Sequence, residues 1–139
     1  MIAMAGSSFV SLLRRALLAP LLAAACTAAA AATWTVRPGQ ALQPVIDAAA
    51  AGDTVEVPRG HYGGNLVIAK PLTLRGIDRP TISGGLQGDT IRVIAPDVTI
   101  EGIIVRDSGD SLKDQNAGIY IQPGAHRAVV RRCDLTYNL

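Results

Sequence analysis

From Asp53 onward the apolar residues fall in short runs, rich in valine, isoleucine and threonine, in which polar residues alternate with them. Glycine, proline, asparagine or aspartate separates each run from the next. Such runs are typical of β-strands joined by turns. The pattern therefore predicts strands at Val55–Val57, Leu66–Ile68, Leu72–Leu74, Thr81–Ile82, Ile91–Ile94, Val98–Ile100, Ile103–Val105, Ile119–Ile121 and Val129–Val130.

The segment before these runs follows a different period. Its apolar residues recur with the i, i+3, i+4, i+7 spacing of one helical face, at Leu42, Val45, Ile46 and Ala49. This spacing predicts an amphipathic helix within residues 40–51, about three turns long. Pro44 is tolerated in its first turn, where the missing N–H has no helical partner. Gly52 is predicted as the C-cap.

The strand region also repeats itself. "PLTLRGI" (71–77) resembles "DVTIEGI" (97–103), 26 residues later, and "AVVRRCDL" (128–135) is a weaker third copy. A second series runs alongside, because "TIRVIAPDV" (90–98) resembles "GIYIQPGAH" (118–126), 28 residues later. Two interleaved series with a similar period indicate units that each hold several short strands in fixed order.

A period of this size, with three short strands per unit, predicts an all-β fold, a parallel β-helix. Leu72 and Leu74 of one coil would then stack under Val98 and Ile100 of the next. The first coil has an open edge, and the predicted helix is expected to cap it. A β-sandwich is the alternative, but it does not require motifs matched in period.

The first residues have the features of an export signal. Arg14 and Arg15 precede an apolar, alanine-rich stretch, and Ala30–Ala32 offers an A-x-A cleavage site before Thr33. An uncleaved membrane anchor, a twin-arginine signal and a lipoprotein signal are the alternatives. We therefore predict a signal peptide at 1–32, an N-terminal strand and capping helix at 33–52, and the first coils of a truncated β-helix at 53–139.

Charge argues against nucleic acid as a partner. Two of the 13 Lys and Arg residues lie in the predicted signal peptide, the leader. The remaining 11 equal the 11 Asp and Glu residues in number, so the segment after the leader is close to neutral. The basic cluster of the sequence is Arg127, Arg131 and Arg132, which we place on the solvent side of a strand and its turn. A nucleic-acid-binding domain needs a larger basic face. Cleavage of the leader leaves no candidate membrane span.

Two blocks carry a family resemblance: "GHYGGNLVIAKPLTLRG" (Gly60–Gly76) and "DQNAGIYI" (Asp114–Ile121). Together with the opening "VRPGQALQPVIDAAAAGDT", they make residues 34–139 resemble the N-terminal part of the NosD family. The resemblance implies a right-handed parallel β-helix in the periplasm and a non-enzymatic role in maturation of nitrous oxide reductase. It also implies an ABC transporter, with separate ATPase and permease chains, and the reductase itself as partners.

The family is described as copper-binding, so the resemblance implies copper in the full-length protein. Copper(I) prefers thiolate, thioether and imidazole ligands. In the segment after the leader, the weak candidates are Cys133, His126 and His61, and they lack the spacing of a metal motif. A buried thiol and polar turn histidines are the simpler interpretation. The copper ligands are expected beyond residue 139, and no cofactor site is identified in this chain.

The longest polar insertion, "DSGDSLKDQN" (107–116), is a second candidate site. Asp107, Asp110 and Asp114 could gather around calcium or present a loop to a partner protein or glycan. Their spacing is not that of the EF-hand calcium loop. A solvated loop is the simpler interpretation.

An enzymatic or carbohydrate-binding function is the alternative to the accessory role. Exported β-helices include polysaccharide lyases, hydrolases and epimerases, which need convergent carboxylates. Asp107 and Asp134 end successive predicted coils and could point the same way. No catalytic residue is assigned on this basis. Aromatic residues are too few for a glycan-stacking platform: Trp34, Tyr62, Tyr120 and Tyr137.

Overall fold

A computed structural model describes residues 29–138 as a parallel β-helix, which confirms the predicted fold class. Sheet A contains β1 (Thr33–Thr35), β2 (Thr54–Val57), β5 (Thr73–Gly76), β8 (Thr99–Glu101) and β11 (Val129–Arg131). Sheet B contains β3 (His61–Gly63), β6 (Thr81–Ser83), β9 (Ile104–Arg106) and β12 (Asp134–Thr136). Sheet C contains β4 (Leu66–Ile68), β7 (Ile91–Val93) and β10 (Ile119–Ile121).

The chain visits the sheets in the order A, B, C, and each round is one coil. Coil 1 is β2–β3–β4, coil 2 is β5–β6–β7, coil 3 is β8–β9–β10, and coil 4 begins with β11 and β12. Every strand pair is parallel. Within residues 29–138, no helix combines the length and the apolar character needed to cross a membrane. Most of the predicted signal peptide, residues 1–28, lies outside the described residues.

The interior is filled by aliphatic side chains stacked from coil to coil. Leu74 pairs in register with Ile100, as the sequence repeat predicts, and neither side chain is exposed. Leu72 and Val98, just before these strands, are also buried. Each such side chain contributes about 2 kcal/mol relative to an exposed position. The 26-residue repeat therefore reflects equivalent inward positions in successive coils.

The third, weaker copy of the repeat also falls in register. Val130 of β11 pairs with Ile100, which aligns Cys133 with Ile103. Cys133 is partly buried and packs against the core, so its thiol replaces an aliphatic side chain at an inward position. Small thiols are readily accommodated in such sites.

The N-terminal helix, α1 (Leu42–Ala48), is shorter than predicted, with seven residues instead of about three turns. Its C-cap is Ala49, whose backbone is extended, and the prediction of Gly52 as the cap is wrong. Gly52 instead adopts a φ of 90°, and its N–H donates to the Pro71 carbonyl at 2.7 Å. That hydrogen bond draws residues 49–52 into the first coil and ends the helix early.

The helix covers the first edge of sheet C. Its Gln43 side chain accepts a hydrogen bond from the Val67 N–H at 2.8 Å and donates one to the Val67 carbonyl at 3.0 Å. The amide thus occupies the place of a neighbouring strand, because it satisfies both backbone groups of an edge residue. The Lys70 ammonium donates to the Asp47 and Ala49 carbonyls at the helix end, where unpaired carbonyls favour a cation.

Strand β1 pairs with β2, and the Asp53 carboxylate adds a second attachment to the first coil. The oxygens of Asp53 accept hydrogen bonds from the Ala32 N–H, the Trp34 indole N–H and the Ala50 N–H, each at 2.8 Å. The hydrogen bond from Ala32 is the main reason that the pKa of Asp53 is lowered, followed by those from Trp34 and Ala50. Asp53 therefore anchors both β1 and the segment after α1.

We expect Asp53→Ala to release β1 before the rest of the protein unfolds. Trp34, the only tryptophan, loses its indole acceptor, so its fluorescence should change at a lower urea concentration than the circular dichroism of the sheets. Because the folded-state pKa of Asp53 is lowered, its stabilisation is present above the ordinary aspartate pKa and disappears as pH falls through the lowered value. Asp47→Asn, at an exposed helix position, is the control. Coincident fluorescence and dichroism transitions in Asp53→Ala would contradict this role.

Candidate functional site

A column of alternating charges crosses sheet A. Glu56, Arg75, Glu101 and Arg131 occupy the same register position in four successive coils. The Arg75 Nε lies 2.6 Å from the Glu101 Oε1, and its Nη1 lies 3.6 Å from the Glu56 Oε1. The Arg131 Nε lies 2.6 Å from the Glu101 Oε2. Neighbouring strands lie about 4.8 Å apart, so this order places each charge beside opposite charges.

Glu101 is the centre of this column. Its side chain is only 2% exposed, and the Arg132 Nη2 also donates to its Oε2, at 3.0 Å. The hydrogen bond from Arg75 and those from Arg131 and Arg132 outweigh the cost of burial and lower the pKa of Glu101 to about 2. The carboxylate is ionised at neutral pH and unsuited to act as a general acid.

The A–B corner, where sheet A turns into sheet B, carries further arginines. Arg59 lies in the β2–β3 turn, Arg79 in the β5–β6 turn and Arg132 in the β11–β12 turn. A cleft of about 270 Å³ at this corner is lined by Arg75, Gly76, Asp78, Arg79, Glu101, Gly102 and Arg132. The hydrophobic pattern of the sequence did not predict this site. The available signal was the charged position of the repeat, which is arginine in one copy and glutamate in the next.

The predicted basic cluster does not exist as one unit. Arg127 lies before β11, where sheet C turns into sheet A, and pairs with Asp97 at 2.6 and 2.7 Å. Arg131 and Arg132 lie at the other end of β11 and bind Glu101. All three side chains lie on the solvent side of β11 and its turns, as predicted, and are 58–73% exposed. The strand between them directs Arg127 to a different corner from Arg131 and Arg132.

The structure does not bring the three metal-ligand candidates together. His61 lies on β3 in coil 1, His126 is exposed in the turn before β11, and Cys133 lies in coil 4. The Cys133 thiol faces the Ile100 and Arg131 carbonyls, at 3.7 and 3.4 Å. Between residues 29 and 138, no group of three or more His, Cys, Asp or Glu side chains is arranged to hold a metal ion.

His61, interpreted from the sequence as a turn residue, lies on strand β3 together with Tyr62. Tyr62 points inward, is buried, and its hydroxyl donates to the Pro58 carbonyl at 2.8 Å. His61, its neighbour on the strand, is exposed. The alternation of a strand thus places the two rings on opposite faces.

The aspartates of the long loop bind separate partners. Asp107 accepts hydrogen bonds from Ser83 and Arg106, each at 2.9 Å, and Asp114 accepts one from Ser111 at 2.6 Å. Asp110 is exposed. No group of these carboxylates in the described chain has the arrangement of a metal site, so the calcium alternative gains no support.

The long loop stacks on residues 84–90, the corresponding loop of coil 2. The Gly109 N–H donates to the Gly88 carbonyl at 2.8 Å, and the Leu86 N–H donates to the Asp107 carbonyl at 2.9 Å. Leu86 in the coil 2 loop and Leu112 in the long loop are 71% and 82% exposed. Whether the loop binds a partner stays a prediction.

The two carboxylates of the enzymatic alternative are not paired. Asp134 is the first residue of β12, in register with Ile104, whereas Asp107 follows the last residue of β9. Three register steps separate them, about 10 Å along the strand direction. Asp134 pairs instead with Arg79. The structure therefore does not bring these two carboxylates together, because they lie at opposite ends of the strands of sheet B.

Comparison with known proteins gives two curated relatives. The chain is 37% identical over 76 residues to the probable ABC transporter binding protein NosD of Pseudomonas aeruginosa, covering 55% of this chain and 18% of the relative. It is 32% identical over 74 residues to the protein of the same name from Stutzerimonas stutzeri, covering 53% and 17%. No protein-family profile matches, and no solved structure matches significantly.

These matches confirm the resemblance to NosD, over about half of this chain. The matched part spans less than a fifth of the length of either curated relative. The similarity therefore concerns only a part of the length of those proteins.

Proposed function

We propose that this protein is a periplasmic accessory factor for maturation of nitrous oxide reductase, which it assists together with an ABC transporter. The observation that carries the proposal is the similarity to two proteins named as ABC transporter binding proteins NosD. The leader-like N-terminus is consistent with export. The proposed contribution is to assembly or copper supply of the copper–sulfur centre of the reductase.

We further propose that the protein acts as a binding scaffold and not as an enzyme. Stacked coils held by register-matched strands form a rigid support, and the loops at the corners provide adaptable contact surfaces. Glu101, the most buried carboxylate between residues 29 and 138, is neutralised by arginines. The stacked loops 84–90 and 107–118, with Leu86 and Leu112 exposed, are the favoured surface for the transporter or the reductase.

Deletion of the gene tests the proposed role. The reductase purified from the deletion strain should contain less copper and have lower activity, and the intact gene supplied in trans should restore both. A tagged copy of the protein should also co-purify the permease and ATPase. Normal copper content without the protein would contradict the proposal. Turnover of uronate-rich polysaccharides by the purified protein would instead support the enzymatic alternative.

Copper binding by the full-length protein can be tested separately. Simultaneous replacement of Cys133, His126 and His61 by Ser, Ala and Ala should leave the copper(I) stoichiometry unchanged, because these side chains are held apart. The measurement is a competitive titration against a copper(I) chelator. Loss of one copper equivalent in this variant would place a ligand within the described coils.

A further inference from the structure

A second cleft lies at the A–B corner and extends across coils 1 to 3. Its volume is about 370 Å³, and it is lined by Arg59, Gly60, His61, Arg79, Thr81 and Ile104. Its floor is set by the strand register, since His61, Thr81 and Ile104 are aligned in β3, β6 and β9. The turns before β3 and β6 supply the two arginines. We call this the corner cleft.

The lining groups of the corner cleft share one chemical character. Two guanidinium groups, one imidazole and one hydroxyl line it, and no carboxylate is among its lining residues. Arg59 and His61 are exposed to solvent. Among the described residues, Arg59 makes no ion pair. Such a combination offers a ligand several hydrogen-bond donors and, at Arg59, a positive charge without an ion-pair partner in the described part of the chain.

The second arginine has an exchangeable partner. Arg79 reaches past Ile104 to pair with Asp134 of coil 4, and these two side chains are 56% and 53% exposed. An ion pair between such exposed groups contributes little to stability. The partner of Arg79 is a carboxylate, so the Arg79 guanidinium group is already placed to bind an oxyanion. A ligand oxyanion could replace it at small cost.

We propose that the corner cleft binds a small oxyanion, a phosphate or carboxylate group, between Arg59 and Arg79. Guanidinium groups bind planar or tetrahedral oxyanions with two parallel hydrogen bonds, which lysine ammonium groups do not provide. Thr81 and His61 supply further donors at the floor. Asp134 acts as an internal competitor, which holds Arg79 when the cleft is empty.

The test is titration calorimetry of the full-length protein at low ionic strength, with inorganic phosphate in one arm and acetate in the other. Arg59→Gln and Arg79→Gln should each weaken binding by about tenfold, since each removes charge-assisted hydrogen bonds. Asp134→Asn should strengthen binding, because it frees Arg79. Arg127→Gln is the matched control, an arginine of equal charge that pairs with an aspartate at another corner.

Each result decides for or against the corner cleft. Preference for phosphate or for acetate identifies the ligand class, and either supports the site if the arginine variants weaken binding. Absence of saturable binding of both anions overturns the proposal. An equal loss in Arg127→Gln also overturns it, since the effect would then be general charge. Arg59 lies exposed in a turn, so Arg59→Gln remains informative even if Arg79→Gln folds poorly.

A separate observation concerns the start of the exported chain. The Ala32 N–H donates to the Asp53 Oδ1 at 2.8 Å, and the Ala32 carbonyl accepts from the Thr54 N–H at 2.9 Å. Cleavage before Thr33, as the sequence predicts, would remove both hydrogen bonds. Cleavage one residue earlier leaves alanines at the two positions that signal peptidase requires, Ala29 and Ala31.

We infer that the exported chain begins at Ala32 and that its new α-ammonium group pairs with Asp53. The ammonium nitrogen takes the place of the amide nitrogen 2.8 Å from the carboxylate, so the hydrogen bond becomes charge-assisted. Intact mass spectrometry of the protein from the periplasm should give the mass of a chain starting at Ala32. A mass that corresponds to any other start, or to an uncleaved leader, overturns the inference.

Discussion

Glu101→Gln should lower the free energy of unfolding by about 2 kcal/mol at pH 7, because it removes a buried negative charge from between three arginines. Glutamine keeps the size of the side chain but leaves the Arg75, Arg131 and Arg132 guanidinium groups without their counter-charge. The three arginine side chains are 43–73% exposed, so water can solvate their guanidinium groups in the variant. The decrease in the free energy of unfolding is therefore smaller than for a fully buried ion pair. Urea unfolding followed by circular dichroism measures it.

Glu56→Gln is the matched control for this prediction. Glu56 belongs to the same column, but it is 28% exposed and contacts Arg75 at 3.6 Å. Removing its charge should change the free energy of unfolding by less than about 0.5 kcal/mol. If the two variants were equally destabilised, burial of Glu101 would not be the source of its effect.

Acid should remove the same interaction in the unmodified protein. The folded-state pKa of Glu101 is lowered to about 2 from an ordinary value of 4.5. Its stabilisation is therefore complete above pH 4.5 and is lost as pH falls through 4.5 toward 2. The difference in stability between the protein and Glu101→Gln should shrink over this interval. A difference that stays constant down to pH 2 would contradict the assignment.

The coil architecture could be predicted from the sequence because the repeat is a direct consequence of stacking. Leu74 and Ile100 are 26 residues apart, and the structure pairs them in register. Most inward positions are filled by aliphatic side chains in successive coils, so the same pattern recurs. The end of the helix was predicted less well, because the alanines at 49–51 are compatible with a helix. The hydrogen bond from the Gly52 N–H to the Pro71 carbonyl is a long-range contact that the local pattern does not reveal.

The charged cluster was missed for a related reason. Periodicity identifies inward positions by their shared hydrophobicity, whereas Arg75, Glu101 and Arg131 differ from coil to coil. Only the strand register shows that these opposite charges lie side by side in neighbouring coils. Arg132 shows the same limit, since it occupies the position of Gly102 and shares its left-handed conformation, with φ values of 53° and 71°. Its ion pair with Glu101 offsets part of the cost of that conformation.

Gly76→Ala should lower the free energy of unfolding by about 3 kcal/mol, because the added methyl group has no room between two coils. A Cβ at Gly76 would lie 2.8 Å from the Gly102 carbonyl carbon in the next coil and 2.7 Å from the Pro80 Cδ. Both contacts are shorter than van der Waals separation, and the first is with backbone. The glycine is required because coils 2 and 3 approach each other closely at the A–B corner.

Gly63→Ala provides the comparison that isolates this close approach. Gly63 also lies in a strand, β3, but a Cβ there meets no atom within 4 Å, and its φ is not left-handed. The substitution should change stability by less than about 0.5 kcal/mol. Thermal and urea unfolding of both variants separate a packing effect from the general loss of chain flexibility on replacing glycine. If Gly76→Ala were as stable as Gly63→Ala, the two coils would have room at this corner, and the spacing of the stack would not depend on the glycine of the repeat.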